Sequence, residues 1–217
     1  MCSNYRPVTR SDWLFEHWGV HRPEGEFPLD CYPSYLAPFI RLKKDGEREV
    51  RDGQFGIVPH WAKEVALGKR AYNARSETVK EKPMFRDAWK WGQRCLIPTH
   101  FFYEPNYETG KHVSWRIGLK GWTPFAIAGL WGHWRDKETG EDILSFTMLT
   151  VNADDHHLMK RFHKPGDEKR MVVILRKEDE DLWLKGSLDD AWGLVKPYPA
   201  ELMDALPRGM EPGAQLF

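Results

Sequence analysis

The second residue of the chain, Cys2, is suited to aldehyde chemistry that an internal cysteine cannot perform. Initiator methionine is commonly removed before a small residue, so we expect Cys2 to become N-terminal and to carry both an α-amine and a thiol. An α-amine has a pKa of about 7.7–8.0, so on the order of a tenth of it is neutral and nucleophilic at neutral pH. The amine would convert an aldehyde into an imine, and the thiol would then close a five-membered thiazolidine. The alternative is that Cys2 is a small buried residue without chemistry.

A polar segment from Asn73 to Thr78 contains two groups that suit ligand binding. Asn73 could orient an amine or a carbonyl, and the planar guanidinium of Arg75 could bind a phosphate through paired hydrogen bonds. The same letters are typical of a helix start in which Ser76 and Glu77 act as capping residues. Taken alone, the segment favours the helix start.

An acidic side chain, Glu104, follows three aromatic residues at the end of an apolar segment. A carboxyl in that position would be partly shielded from water, which suits general acid–base catalysis. A solvated carboxylate at a strand end is an equally good interpretation, and the segment alone does not choose between them.

Three histidines lie close together in the sequence, namely His156, His157 and His163. His163 falls in a loop just before an apolar segment, where a proton-transfer residue could be presented to a ligand. The spacing of the three is not typical of a zinc site, and no cysteine pair accompanies them. The sequence therefore predicts no metal and no other cofactor.

The composition is that of a globular protein without net charge. The 217 residues suffice for one sizeable domain. The charges of the 32 basic and 32 acidic residues cancel, which excludes a protein that coats nucleic acid through its overall charge. Any contact with nucleic acid must therefore come from a local basic patch. The three cysteines are widely spaced and predict no disulfide framework. No apolar run of about 18 residues and no signal-like N-terminus is present, so we expect a cytoplasmic protein that does not enter membranes.

Short alternating segments separated by turn-forming glycines dominate the pattern. The predicted strands cover residues 37–42, 54–58, 95–102, 112–119, 125–131, 143–152 and 171–175, and the predicted helices cover 62–67, 83–91, 154–161 and 178–184. A regular alternation of strand and helix does not occur. We therefore predict an α+β fold in a single domain over residues 1–217, with a mostly antiparallel, barrel-like sheet, flanking helices and a Pro-rich irregular stretch from about residue 196.

In their order and spacing, these segments resemble the SOS response-associated peptidase family, also called SRAP-domain or abasic-site-processing proteins. The matching segments run along nearly the whole chain: Met1-Cys2, residues 56–62 (GIVPHWA), 73–78 (NARSET), 102–104 (FYE) and 150–153 (TVNA), and His163 with Arg170-Met171. Members of that family recognise abasic sites in single-stranded DNA and join their N-terminal cysteine to the sugar aldehyde as a thiazolidine crosslink. The resemblance thus implies a DNA-damage protein that binds single-stranded DNA containing abasic sites, and we expect a monomer that associates with the nucleoid when it acts.

The resemblance also implies roles for individual side chains. Cys2 would be the covalent nucleophile, and Asn73 would position its amine and the sugar. Glu104 would act as acid and base in ring opening and imine formation, and His163 would assist proton transfer in ring opening and in crosslink reversal. The DNA contacts implied in the same way are Arg75 beside a phosphate, Trp61 against a flanking base, and Thr150 and Asn152 on the backbone. Removal of Met1, which accounts for the peptidase name, and lyase-like imine chemistry are implied as well.

The sequence differs from many members of the family at three places. Ser3-Asn4 stands where Gly-Arg is common, so a phosphate-binding arginine is replaced and Arg6 is the nearest substitute. Pro105 stands where Trp often follows the motif glutamate.

The third difference is a longer link, Lys164 to Lys169, between His163 and the Arg-Met pair, with Val172 in place of the usual proline. This length leaves His157 as a competitor for the role of the motif histidine.

Two other functions are compatible with the same residues. The first is a cysteine peptidase acting on proteins, with Cys2, His163 and Asn73 as an unusual triad. The second is a module that binds single-stranded DNA without covalent chemistry.

Overall fold

The computed structural model describes residues 2–23 and 25–210. Its strands within those ranges are β1 (Tyr5–Pro7), β2 (Leu36–Leu42), β3 (Arg48–Phe55), β4 (Asn73–Arg75), β5 (Arg94–Asn106), β6 (Val113–Leu119), β7 (Phe125–Arg135), β8 (Asp142–Asn152), β9 (Arg170–Val172), β10 (Ile174–Leu175) and β11 (Met203–Pro207). Its α-helices there are α1 (Ser11–Trp18), α2 (Arg86–Lys90), α3 (Glu180–Lys185) and α4 (Leu188–Gly193). The longest of these, α1, has eight residues, and no helix in the described ranges has the length and apolar composition needed to span a membrane.

Five of the strands close into a barrel. β7 pairs with β8, β8 with β3, β3 with β2, β2 with β5, and β5 returns to β7. Only the β3–β8 contact in this ring is parallel. The predicted α+β fold, with a mostly antiparallel, barrel-like sheet and flanking helices, is confirmed.

Large apolar side chains fill this barrel, because alternation along a strand directs every second residue inward. Phe39 on β2, Phe55 on β3 and Phe146 on β8 are fully buried. The Phe146 ring centroid lies 5.6 Å from that of Phe39 and 5.5 Å from that of Phe55. Burial of one such side chain stabilises the fold by about 1.5–3 kcal/mol. Since the interior is packed, candidate functional residues must lie at the ends of the barrel strands or on the strands and loops attached to the barrel.

Short strands attached to the barrel position part of the residues with candidate chemistry. β1 runs antiparallel to β5 with Tyr5 opposite Phe102, which directs the N-terminal segment along the end of β5. β4 runs parallel to β8 and β9 runs antiparallel to it, so Arg75 and Val172 flank Thr150 on its two sides.

A close approach of two glycines fixes the segment that precedes β4. Gly56 has a φ of 120°, and a Cβ there would lie 2.3 Å from the carbonyl oxygen of Gly68. A residue with a side chain cannot adopt this arrangement without displacing backbone. Just beyond it, the Ile57 N–H donates to the Ala71 carbonyl at 3.1 Å. This contact directs the chain into β4, where Asn73 is the first residue.

The prediction of an irregular C-terminal stretch from residue 196 is wrong for its middle part. Ala200–Leu202 form a 3-10 turn, and β11 pairs antiparallel with β6. β11 is short and lies at the end of the strand order, where the proline that closes it, Pro207, is tolerated. Residues 211–217 of that stretch lie outside the described residues.

The predicted helix over residues 154–161 is also wrong, since only Met159–Arg161 form a 3-10 turn. The Asp154 carboxylate accepts hydrogen bonds from the Lys169 N–H at 2.7 Å and from the Asn152 side-chain amide at 2.8 Å. The side chain expected to cap a helix is therefore used to hold a loop.

Other element boundaries differ from the predictions as well. The helix expected at 62–67 is a 3-10 turn over Val65–Arg70, and the helix expected at 83–91 shortens to α2. The strand expected at 54–58 is the end of β3. α1 is absent from the predictions, because it buries only Leu14 and Trp18 and its periodic signal is brief.

Candidate active site

Cys2 is buried at the edge of the barrel, beside the end of β5. Its side chain is 1% exposed, and its thiol donates a weak hydrogen bond to the Asn4 carbonyl at 3.5 Å. Burial raises the pKa of this thiol well above its ordinary value, and the neighbouring Glu104 carboxylate raises it further. The thiol is therefore protonated at neutral pH and needs a proton acceptor to act as a nucleophile. Met1, on whose removal the sequence prediction depends, lies outside the described residues.

Asn73 on β4 holds the backbone of Cys2. Its Nδ2 donates to the Cys2 carbonyl oxygen at 2.7 Å. Asn73 lies opposite Met148 of β8, so a strand of the barrel itself fixes its position. Its Oδ1 is buried and accepts no hydrogen bond from any residue that the structure describes. A buried amide oxygen of this kind is available to a donor on a ligand.

Glu104 and His163 form a buried pair of acid–base side chains close to Cys2. Glu104 Oε2 lies 3.1 Å from His163 Nε2, and the two side chains are 2% and 9% exposed. Glu104 occupies β5 opposite Trp115 of β6. Within the described ranges neither imidazole nitrogen of His163 makes a hydrogen bond of regular geometry. The distance permits direct proton exchange, and the imidazole remains able to bond a substrate group.

The backbone of His163 is strained. Its φ is 65°, in the left-handed region that favours glycine. Its N–H donates to the Pro105 carbonyl at 2.8 Å, and Lys169 Nζ donates to its carbonyl at 3.4 Å. Such conformations cost on the order of 1–3 kcal/mol and persist where surrounding contacts impose them, commonly at functional sites. The strain thus supports a functional role for this histidine.

His157 does not share this arrangement. It is exposed and lines a surface depression beside Pro197 and Tyr198. Its neighbour His156 is engaged there, with Nε2 2.7 Å from the Tyr198 carbonyl oxygen. The geometry therefore favours His163 as the histidine of the site.

Arg75, the predicted phosphate ligand, lies in an ion-pair network built around a buried arginine. Arg75 Nη1 donates to Glu168 at 2.8 Å. Arg170, whose side chain is 2% exposed, pairs with Glu168 at 2.6 Å and with Glu77 at 2.9 Å. Two cationic groups and two carboxylates therefore share this face, and the cation that reaches solvent is Arg75.

The two predicted backbone contacts on β8 differ in exposure. Asn152 is exposed, and its Nδ2 donates to Asp154 at 2.8 Å and to Glu168 at 3.3 Å. Thr150 is 1% exposed, and its carbonyl and hydroxyl oxygens accept from Arg170 at 2.9 and 3.2 Å. The polar atoms of Thr150 therefore serve the buried arginine, and a contact of Thr150 with DNA stays a prediction.

Trp61 lies in the turn that follows Pro59 and is 45% exposed. A second exposed tryptophan, Trp91, packs against the neighbouring His60 ring with centroids 4.9 Å apart. The exposed indole of Trp61 is accessible to a flat ligand, and its contact with a base stays a prediction.

The residues that replace the family's usual arginine are both engaged inside the protein. Asn4 is buried and its Nδ2 donates to the Tyr32 hydroxyl at 2.9 Å. Arg6 donates to Asp30 at 2.9 Å and lies over the Phe101 ring. Arg6 is therefore not a free cation at the site.

Two residues of the site were missed by the sequence reasoning. Tyr72 lies near the reactive group: burial raises its pKa, and the neighbouring Cys2 and Glu104 raise it further. Its position directly before Asn73 was the available signal. Glu168 accepts a hydrogen bond from Arg75, the predicted phosphate ligand. The sequence feature that could have identified Glu168 is its position in the longer link between His163 and Arg170.

Burial of all three cysteines predicts a native protein that resists thiol reagents. Cys2, Cys31 and Cys95 are buried and form no disulfide, and burial raises the pKa of each thiol. We expect an aromatic disulfide reagent at pH 8 to modify none of them rapidly in the chain with Met1 in place, and all three in denaturant. Rapid stoichiometric modification of one thiol in the native chain would contradict this burial.

Comparison with known proteins assigns this chain to one family. The model of the family described as SOS response associated peptidase (SRAP) matches residues 1–209, and the chain belongs to that family. The abasic site processing protein YoqW of Bacillus subtilis (strain 168) is 34% identical over 216 residues, covering 94% of this chain and 91% of that protein. The abasic site processing protein HMCES of Gallus gallus is 28% identical over 190 residues, covering 72% of this chain and 54% of that protein. A crystal structure of a protein from Bordetella bronchiseptica superposes with a TM-score of 0.87 at 37% identity, covering 96% of this chain and all of that one (100%).

Proposed function

We propose that this protein processes abasic sites in single-stranded DNA by forming a thiazolidine crosslink between Cys2 and the sugar aldehyde. One observation carries the proposal, namely the arrangement around Cys2. The Asn73 amide bonds the Cys2 carbonyl at 2.7 Å, and the Glu104–His163 pair, 3.1 Å apart, lies beside the same residue. The names of relatives that match 94% of this chain support the choice of an abasic site as the substrate.

The chemistry requires proton transfers that this pair can supply. Opening the deoxyribose ring removes a proton from the anomeric hydroxyl and delivers one to the ring oxygen, with Glu104 as base and acid and His163 as its partner. The α-amine of Cys2 then attacks the aldehyde carbon, and one water leaves as the imine forms. The sulfur adds to the imine carbon while its proton passes to nitrogen, and this closes the thiazolidine. One water is lost in total.

The amine acts before the thiol in this sequence. Burial raises the pKa of the Cys2 thiol, so little thiolate exists at neutral pH. An α-amine, with an ordinary pKa of about 7.7–8.0, is the better first nucleophile. The thiol reacts afterwards, when the imine carbon has been placed within its reach.

Buried polar atoms without partners support a ligand at this place. Asn73 Oδ1 and His163 Nδ1 lack a hydrogen bond among the described residues. Such atoms are costly to bury unpaired, typically about 1–3 kcal/mol each. The hydroxyl groups of an open-chain sugar and the amine of Cys2 would supply the missing hydrogen-bond partners of these atoms.

Removal of Met1 is the activating step in this proposal, because the nitrogen of Cys2 is an amide until Met1 leaves and only then becomes a free α-amine. The peptidase chemistry in the family's description would then concern the Met1–Cys2 bond. Imine formation on the aldehyde carbon of the abasic sugar also gives the chain a lyase-like reactivity, which thiazolidine closure would divert into a stable product.

A denaturing gel tests the proposed function. The Met1-free protein is incubated with a single-stranded oligonucleotide that carries one abasic site, and with the same strand without the lesion. We expect a heat-resistant shifted band with the lesion only. A shift that appears only in a native gel, equal with and without the lesion, would indicate a plain binding module. Cleavage of a peptide panel without any crosslink would indicate a protein-directed peptidase.

His163→Ala is expected to slow reversal of the crosslink by roughly 10²-fold, because reopening the thiazolidine requires protonation of the departing group. The measurement is release of DNA from the purified crosslink while an alkoxyamine traps the freed aldehyde. His157→Ala is the matched control, since that side chain is exposed and lines the depression beside Pro197 and Tyr198. Slower release with His157→Ala and unchanged release with His163→Ala would reverse the assignment.

Arg75→Ala is expected to weaken binding of unmodified single-stranded DNA and to lower the slope of log affinity against log salt by about 0.7, the value for one phosphate contact on a single strand. Fluorescence anisotropy at several salt concentrations measures both. Arg135→Ala, which removes another exposed arginine at the far end of β7, serves as the control. Equal slopes for Arg75→Ala and wild type would exclude a phosphate contact.

A further inference from the structure

We propose that the carboxylate of Glu168 occupies a phosphate site of this protein and that a DNA strand must displace it in order to bind. The inference rests on the proposed function, because the ligand it assigns is a phosphodiester of the strand that carries the lesion. It adds a residue that opposes DNA binding to the residues that promote it.

Donors from three different elements converge on this one carboxylate. Glu168 Oε2 accepts from Arg75 Nη1 at 2.8 Å. Glu168 Oε1 accepts from Arg170 Nη1 at 2.6 Å and from Asn152 Nδ2 at 3.3 Å. Two guanidinium groups and a side-chain amide are the donors that proteins commonly use to hold phosphate oxygens. Arg75, Arg170 and Asn152 thus form a cage around the carboxylate. The same cage would accept a phosphodiester in place of the carboxylate.

One side of the cage is buried in the protein, and the other side is exposed to solvent. Arg170 is 2% exposed and remains paired with Glu77 when Glu168 leaves, so its charge stays compensated. Arg75 and Glu168 are 46% and 37% exposed. An ion pair as exposed as theirs contributes little to stability. The bond from Arg170 to the carboxylate is also broken when Glu168 leaves, and an incoming phosphate oxygen would take its place.

The backbone next to Glu168 is held independently of its carboxylate. The N–H of the following residue, Lys169, donates to the Asp154 carboxylate at 2.7 Å, and Lys169 Nζ donates to the Lys164 carbonyl at 2.7 Å. Rotation of the Glu168 side chain is therefore enough to vacate the cage. The loop beside His163 keeps its course when that happens.

The charge of Glu168 persists at neutral pH. Its partial burial favours the neutral acid, but the hydrogen bond and charge of Arg170 and the contacts of Asn152 and Arg75 outweigh this and lower its pKa. Glu168 is thus a constant competitor for every strand that approaches. An intact strand is held weakly, whereas a strand with an aldehyde is retained by its covalent bond.

The test is binding of an unmodified, labelled single-stranded oligonucleotide, followed by anisotropy. Glu168→Gln is expected to bind roughly five-fold more tightly than wild type, since it removes one charge a few ångströms from a phosphate. Glu77→Gln removes the same charge from the same Arg170 without touching Arg75, and Glu138→Gln removes it from the distant β7–β8 turn. Glu138→Gln is expected to change affinity by less than about two-fold. Glu77→Gln, whose carboxylate bonds Arg170 but not Arg75, is expected to raise affinity less than Glu168→Gln does.

Two further variants make the outcome specific to the cage. In the Arg75→Ala background, Glu168→Gln should lose most of its gain, because the donor it frees is absent. Glu168→Asp keeps the charge but shortens the side chain, so it should give a smaller gain and covers the case in which Glu168→Gln folds poorly. Equal gains for Glu168→Gln and Glu77→Gln, no gain for both Glu168 variants, or a gain that persists without Arg75 would each overturn the inference.

The source of the phosphate and the underlying function are tested separately. Thermal stabilisation of Glu168→Gln by inorganic phosphate alone, as large as that by the same concentration of strand phosphates, would assign the cage to free phosphate and overturn the DNA assignment. If the wild-type protein crosslinks abasic DNA but Glu168→Gln does not bind unmodified single-stranded DNA more tightly, this inference alone is overturned. A protein that never crosslinks overturns the proposed function, and the binding measurements still decide the role of Glu168.

Discussion

Cys2→Ala is expected to abolish the heat-resistant crosslink to abasic DNA completely. The substitution leaves the α-amine in place after Met1 removal but takes away the sulfur that closes the ring. The N-terminal amine of this variant would still form an imine, which hydrolyses on heating. Borohydride reduction before the gel should therefore trap the variant on the lesion, while wild type needs no reductant.

Two controls separate the thiol from the amine. Cys31→Ala removes another buried thiol and should leave crosslinking intact. Wild type with Met1 retained keeps the thiol but has no free amine on Cys2, and it should form no crosslink. A stable, unreduced crosslink from Cys2→Ala would show that another residue bonds the sugar.

Glu104→Gln is expected to slow crosslink formation by roughly 10²-fold or more, the usual contribution of a general acid–base residue. Gln keeps the size of the side chain and removes its ability to exchange a proton with His163, which lies 3.1 Å away. The measurement is the single-turnover rate of band formation at saturating protein. Because Glu104 also raises the pKa of the Cys2 thiol, its removal should make that thiol somewhat more acidic, which by itself would speed the final step.

The matched control is Glu108→Gln, four positions further along the chain. Glu108 is exposed and pairs with Arg161 at 2.9 Å, away from Cys2. Its substitution should leave the rate within about two-fold of wild type. Equal rates for Glu104→Gln and wild type, with the fold intact, would assign Glu104 to structure.

The sequence was sufficient to predict the fold class, because this depends on local pattern. Alternation and glycine spacing predicted a barrel-like sheet, and the ordered motifs singled out Cys2, Asn73 and Glu104. Their convergence could not be predicted from pattern, since it depends on the long-range pairings of β1 with β5 and of β4 with β8.

Competition for side-chain hydrogen bonds explains two differences between the sequence patterns and the structure. Asp154 looked like a helix cap, yet its carboxylate holds the loop at Lys169. Thr150 looked like a surface contact, yet its oxygens satisfy the buried Arg170. The choice between His163 and His157 likewise required the backbone conformation of the longer link, which residue types alone do not specify.

Mass spectrometry of the crosslinked N-terminal peptide tests the central claim most directly. After nuclease and protease digestion, we expect a peptide that begins at Cys2, lacks Met1, and carries the sugar remnant with the loss of one water. Its thiol should resist alkylation, because sulfur and nitrogen are both bonded to the sugar carbon. An adduct on any other residue, or a Cys2 adduct whose thiol can still be alkylated, would contradict a thiazolidine formed by Cys2.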